Sequence, residues 1–180
     1  MYFQIMMYKK HTDFISGFTV HQPSLSLAAC SGDGTLSVHD LRAHRFRCVD
    51  MFIYIYYMYL ICSLIVFTLN PGIFSLRTED DADDELLSAV VIKGGRKVVV
   101  GTQSGVLNVY SWGAMNDCSD RFPGHPESVD ALVKFDEDTL LTGSSDGAIR
   151  IVNIQPNRLL GLVGAHADLP IECLSLSTDK

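Results

Sequence analysis

Short runs of alternating apolar and polar residues fill most of this chain, and a turn signal closes nearly every run. Phe14 to His21 and Leu25 to Ser31 read as two strands, split by Gln22-Pro23-Ser24. Ser31-Gly32-Asp33-Gly34 is the next turn, where Asp-Gly supplies the positive backbone dihedral that a hairpin needs. Thr35 to Leu41 then alternates with period two, as a half-buried strand does. After an acidic stretch at 79–85, Leu86 to Ile92, Lys97 to Thr102 and Val106 to Trp112 repeat the pattern, with Lys93-Gly94-Gly95-Arg96 as a turn. A third set follows at Val129 to Phe135, Thr139 to Ser144, Ala148 to Ile154 and Arg158 to Val163. Ile171 to Ser177 reads as one further strand. The expected fold class is all-β.

The sets are copies of one another. Ser31 to Arg42, Thr102 to Tyr110 and Ser144 to Asn153 each open on a small polar turn ending in glycine and continue as an apolar alternation. The turn glycines are Gly34, Gly105 and Gly147. Gly105 and Gly147 are 42 residues apart, the length of a four-stranded propeller blade. Gly34 and Gly105 are 71 apart, which is one period plus 29. A second marker agrees: His125 and His166 are 41 apart, and His11 stands two periods plus 29 before His125. The histidine expected in the second unit is missing, and its place falls near Asp83. The expected architecture is an incomplete β-propeller of about three four-stranded blades plus one strand of a fourth. Its boundaries are 1–10 as an atypical N-terminus, 11–48, 78–123 and 124–164 as blades, 49–77 as an insert, and 165–180 as the start of a truncated blade. A propeller closes only with all its blades, so open sheet edges and a tendency to aggregate are expected of this length of chain.

The insert carries Met51 to Leu69, 19 residues without a charge, which is long enough to span a bilayer. Arg42, Arg45 and Arg47 before it and Glu79, Asp80 and Asp81 after it have the polarity of a single span. A span would place two adjacent blades on opposite sides of a membrane, although neighbouring blades pack face to face. Tyr54, Tyr56, Tyr57 and Tyr59 crowd six positions, a poor composition for a span. Three readings stand: translated intron sequence, beginning near Val49 with its GT codon; a true membrane helix; and a buried insertion.

Composition narrows the function. Net charge is −7, against a surface that tracks nucleic-acid phosphates, so no direct nucleic-acid partner is expected. Five scattered cysteines form no CxxC pair, which leaves neither a zinc site nor a disulfide framework and fits reduced thiols. The N-terminus lacks a signal-peptide layout. Ser144-Ser145-Asp146 lies near His125 in the repeat, but no Gly-x-Ser-x-Gly elbow is present. The expectation is a non-enzyme with no cofactor and no metal. His11, His125 and His166 occupy one blade position and read as loop-to-strand bridges, and Asp33 and Asp146 read as turn formers. The acidic run 79–85 reads as a solvated loop, with a basic partner as the other reading.

The units resemble WD repeats. Gly124-His125 and Ser145-Asp146-Gly147 match the Gly-His opening and the Asp-Gly turn of that family. The Trp-Asp place holds His39-Asp40, Tyr110-Ser111 and Val152-Asn153, so the usual His–Ser/Thr–Asp–Trp hydrogen-bond set is expected to be incomplete in every blade. Longer strings, among them Gly95 to Gly105, Tyr110 to Gly113, Asp117 to Phe122 and Leu169 to Glu172, resemble one plant-like branch of the family over residues 11–48 and 78–179. That resemblance implies a seven-bladed propeller in the nucleus and nucleolus, with the cytoplasm as a further location. It implies a part in ribosomal RNA production and, in plants, in substrate reception by a cullin-4 ubiquitin ligase through the ligase's propeller adaptor. His39-Asp40-Leu41-Arg42 resembles the Trp-Asp-x-Arg box that docks on this adaptor, with Asp40 and Arg42 matching; the other reading of Arg42 is a solvated cation. The partners implied are proteins, and a membrane only if 51–69 is a true span.

Overall fold

The computed structural model describes residues 11–41, 84–167 and 169–177. Three antiparallel sheets hold these residues, each a meander whose strands lie side by side in chain order. The first is β1 (Ile15–His21), β2 (Ser26–Ser31) and β3 (Leu36–Asp40). The second is β4 (Leu86–Ile92), β5 (Lys97–Thr102), β6 (Val106–Ser111) and β7 (Ala114–Pro123). The third is β8 (Val129–Lys134), β9 (Thr139–Ser144), β10 (Ala148–Asn153) and β11 (Arg158–Ala165). The all-β repeat architecture read from the alternation is therefore present, as a stack that does not close on itself. The expectations for 42–83, including the apolar run 51–69 and Arg42, lie outside the described residues. Among the described residues no helix is long and apolar enough to cross a membrane.

The sheets stack through their faces. β1 packs on β4, and β4 and β5 pack on β8. In β5 the two faces separate residue by residue. Val98 and Val100 enter a core with Ala28, Cys30, Leu36 and Val38 of the first sheet. Val99 enters the opposite core with Val129, Leu140 and Val152 of the third. This explains the unbroken apolar run at 98–100: a strand covered on both sides needs no polar face. Each fully buried valine or leucine contributes roughly 1.5–3 kcal/mol.

One irregularity recurs at the start of every inner strand. The register shifts between Ile15 and Gly17, between Leu86 and Ser88, and between Val129 and Ala131. A bulge kinks a strand and sharpens its twist. Hydroxyls beside it bond to the first residue of the next inner strand: Ser16 donates to the Leu86 carbonyl, and Ser88 to that of Val129 at 2.9 Å.

Two elements differ from the sequence reading. β7 is not predicted, because AMNDCSDRFP has little apolar alternation and low strand propensity; pairing to β6 supplies what propensity does not. Ile171 to Ser177, expected as a strand, is not paired into a ladder. Only Ile171 is buried in that segment, held by its N–H to the Ser144 carbonyl at 3.1 Å. It lies over Gly143, where a Cβ would stand 2.5 Å from the Ile171 Cγ2. Glycine is thus required there by close approach of the next segment.

Candidate interaction rims

The stack has two ends. One gathers the loops entering each inner strand together with the turns that close at Gly34, Gly105 and Gly147. The other gathers the remaining turns, including Lys93–Gly95 and the end of β3.

At the first end, each unit ties its entering loop to its turn by a different chemistry. In the first unit His11 Nδ1 lies 3.3 Å from Asp33 Oδ1 and 3.0 Å from Thr35 Oγ1, while Nε2 lies 2.6 Å from Ser37 Oγ. Ser37 Oγ continues to His39 Nε2 at 2.9 Å. His39, buried at 3% exposure, stands in the Trp place and completes the set that the sequence alone leaves incomplete. Asp33 also accepts from the Thr12 N–H at 2.8 Å, the Thr35 N–H at 3.1 Å and the Thr35 hydroxyl. Burial pushes the Asp33 carboxyl up, but these bonds and His11 outweigh it and hold the group well below the ordinary carboxylate range.

In the second unit Asp84 takes the histidine's place. It accepts from the Ser104 N–H at 3.0 Å and from the Ser104 hydroxyl, so the acid has moved from turn to loop. In the third, His125 Nε2 lies 2.8 Å from Thr142 Oγ1 and the Asp146 carboxylate turns to Arg150. The Arg150 guanidinium, bidentate on Asp146, lowers that carboxyl to about 2, against a smaller upward push from burial. Burial, and then the Arg150 charge, push the His125 imidazole below its ordinary value, so it is neutral near pH 7. Ser145 bonds to Ser128 at 2.7 Å and to Glu127 at 3.2 Å, so the Ser-Ser-Asp string does not converge on His125. His166 is exposed, and its N–H donates to the Gly147 carbonyl at 2.8 Å. His125 makes the same backbone contact to Gly105 at 3.3 Å.

Asp146 predicts a pH dependence. Its folded pKa lies below the unfolded value, so its contribution is complete above about pH 4 and is lost as pH falls toward 2. The urea midpoint of the wild type should drop more steeply over that window than that of Asp146→Asn. The expected difference is about 1–2 kcal/mol after allowance for solvent screening.

The charge of the two ends differs. The loops and turns of the first end carry Asp13, Asp33, Asp84, Glu85, Glu127, Asp146 and Glu172, and the Arg150 guanidinium reaches this end on Asp146. The second end carries Lys93, Arg96, Lys97, Lys134 and Arg158 beside Asp136, Glu137 and Asp138. It is also stitched between sheets. His21 stacks on Trp112 at 3.9 Å between ring centroids, and its Nε2 lies 2.8 Å from the Gly95 carbonyl oxygen. The Lys93 N–H donates to the Glu137 carbonyl at 3.1 Å, and its ammonium pairs with Asp138. Asp40 closes β3 at this end, with Leu41 exposed beside it; Arg42 follows, outside the described residues. Among the described residues no group of three or more His, Cys, Asp or Glu could hold a metal ion. Asp84, Ser104, Thr142, Arg150 and the His21–Trp112 stack are not found by sequence reasoning. Aligning the units on Gly34, Gly105 and Gly147 would find Asp84, one place from the position expected.

Comparison with known proteins bears on these rims. The family pattern described as WD domain, G-beta repeat, matches residues 3–40 and 116–153. The chain is 44% identical over 96% of its length to WD repeat-containing protein 55 of Arabidopsis thaliana, and 33% identical over 96% to that of Mus musculus. It is 44% identical over 82% of its length to WD repeat-containing protein JIP5 of Malassezia globosa. It spans 41%, 37% and 29% of those relatives. Among solved structures it superposes on U3-55K with a TM-score of 0.65 at 12% identity, covering 92% of this chain and 43% of that one. It superposes on the computationally designed Ika4 protein with a TM-score of 0.64 at 17% identity, covering 98% of this chain and 88% of that one.

Proposed function

Because the chain belongs to the WD-repeat family, whose domains generally mediate protein–protein interaction, we propose that its rims serve a scaffold acting in ribosomal RNA production in the nucleus and nucleolus. The observation that carries this reading is the 44% identity to the plant relative over nearly the whole chain. The same resemblance supports a second role, as a substrate receptor on the propeller adaptor of a cullin-4 ubiquitin ligase. Asp40 and Arg42 are the docking pair. Asp40 closes β3 at the rim that also carries the basic side chains. The matching places in the other units hold Ser111 and Gly113, and Asn153 and Gln155, so the pair belongs to the first unit alone.

Pull-down of the adaptor at matched expression tests the docking. Arg42→Ala is expected to weaken recovery in keeping with a loss of about 1–3 kcal/mol, the usual cost of truncating a charged hydrogen-bonding partner at an interface. Equal recovery for wild type and variant would leave Arg42 a surface cation and remove the ligase role. Depletion of the protein should raise unprocessed ribosomal RNA precursor; an unchanged precursor level would remove the other role.

A further inference from the structure

The cations of the second end fall into two groups. Lys93 pairs with Asp138 and Lys134 with Glu137, so both are neutralised. The other carboxylates nearby are engaged as well. Asp136 accepts the Asp138 and Thr139 N–H groups of its own turn at 2.8 Å and 2.6 Å. Asp120 on β7 accepts from the Asn157 amide at 2.6 Å and from the Arg121 N–H at 2.9 Å. Arg96 and Lys97, consecutive residues at the entry to β5, have no carboxylate partner among the described residues.

Both are oriented without being neutralised. Arg96 is exposed and donates Nε–H to the Lys93 carbonyl at 2.9 Å, which leaves the two terminal nitrogens of its fork open. Its own carbonyl accepts the Trp112 N–H at 2.9 Å, fixing this turn against the end of β6. The Lys97 ammonium lies across β6 toward β7 and donates to Ser111 Oγ at 2.8 Å and Ser119 Oγ at 3.1 Å. Ser119 gives its hydroxyl hydrogen to the Val109 carbonyl at 2.7 Å. One Lys97 N–H and the Ser111 O–H remain as donors without an acceptor. Hydroxyl oxygens hold an ammonium in place but leave its charge uncancelled, so the site lacks an anion. We propose that Arg96, Lys97 and Ser111 bind side-chain carboxylates of an acidic segment of a partner protein. The Arg96 fork takes one carboxylate bidentately, and the Lys97 ammonium takes a second as a point charge, with Ser111 donating beside it. A nucleic-acid backbone would need a longer track of cations than two neighbours supply. The surface lies at the end where Asp40 closes β3, but the inference does not use docking by that residue.

Trp112 is the one tryptophan of the chain and stands beside the site, so its fluorescence reads occupancy directly. The full chain is titrated at low ionic strength with an oligoglutamate peptide, and peptide anisotropy is followed in parallel. Net charge is −7, so overall charge cannot retain an acidic peptide and binding must be local. Wild type is expected to bind saturably, and added salt should weaken the complex. Arg96→Ala and Lys97→Gln should each weaken it roughly tenfold. Arg96 is exposed, so its variant should keep the fold, as far-ultraviolet circular dichroism checks. Lys134→Gln removes a cation of the same end that is already paired and should leave binding unchanged. Absence of binding by wild type, equal binding by the Arg96 and Lys97 variants, an equal loss in Lys134→Gln, or tighter binding of an oligouridylate than of the peptide would each overturn the assignment.

Discussion

Gly105→Ala is expected to destabilise the chain by about 3 kcal/mol or more, and the reason is twofold. Gly105 has φ 82°, a conformation that costs an L-residue roughly 1–2 kcal/mol. A Cβ there would also stand 2.5 Å from the His125 carbonyl oxygen and 2.6 Å from that of Glu127. Both are backbone atoms of the segment that opens the third unit, so relief means moving that segment. Gly113→Ala separates the two effects, since φ is 86° but nothing lies within 4 Å of the added carbon. It should cost only the dihedral part. In urea the Gly105 variant should lose on the order of 1–2 M in midpoint, and the Gly113 variant visibly less. Equal losses would mean that the contact with His125 and Glu127 carries no weight.

Leu107→Ala should cost about 2–5 kcal/mol, the range for removing a buried leucine and leaving its cavity. Leu107 is 0% exposed in the core between the second and third sheets, among Val99, Val109, Leu140 and Ile154. Rigid sheet backbones on both sides limit collapse into the space. Phe135→Ala, at a side chain 62% exposed, should change stability by no more than about 0.5 kcal/mol. Urea unfolding of both variants checks the contrast, and a small loss at Leu107 would mean that the sheets can close over the gap.

Much of this fold is legible in the chain because apolar runs of strand length, some alternating and some continuous, are each closed by a turn signal. Leu86–Ile92, Lys97–Thr102 and Thr139–Ser144 fall on the residues that those runs predict. β7 escapes because its strand state comes from pairing with β6 and not from its own residues. Ile171 shows the converse: an apolar alternation is not enough for a strand where no ladder partner lies beside it. The rims are less legible than the sheets. A histidine at one register position predicts a bridge for His11 and His125, but the bridge can be remade with other groups. Asp84 with Ser104 does so by exchanging which side carries the acid, and Arg150 draws Asp146 away from its histidine. Such swaps keep the geometry and erase the motif. The proposed docking pair is harder still, since in the structure Asp40 is an ordinary strand end.

The short link at 124–128 takes the chain from β7, the outer strand of the second sheet, to β8, the inner strand of the third. Successive sheets are therefore not beads on a string. A pulling force along the chain enters β6 and leaves β7 at one end of their hairpin, where Val106 pairs with Pro123, so their antiparallel bonds load one after another. The Ser88 to Val129 bond and the Asp120 to Asn157 bond, 2.9 Å and 2.6 Å, clamp the same junction at its inner and outer sides. Under extension the β6–β7 hairpin should therefore open from its Pro123 end, bond by bond.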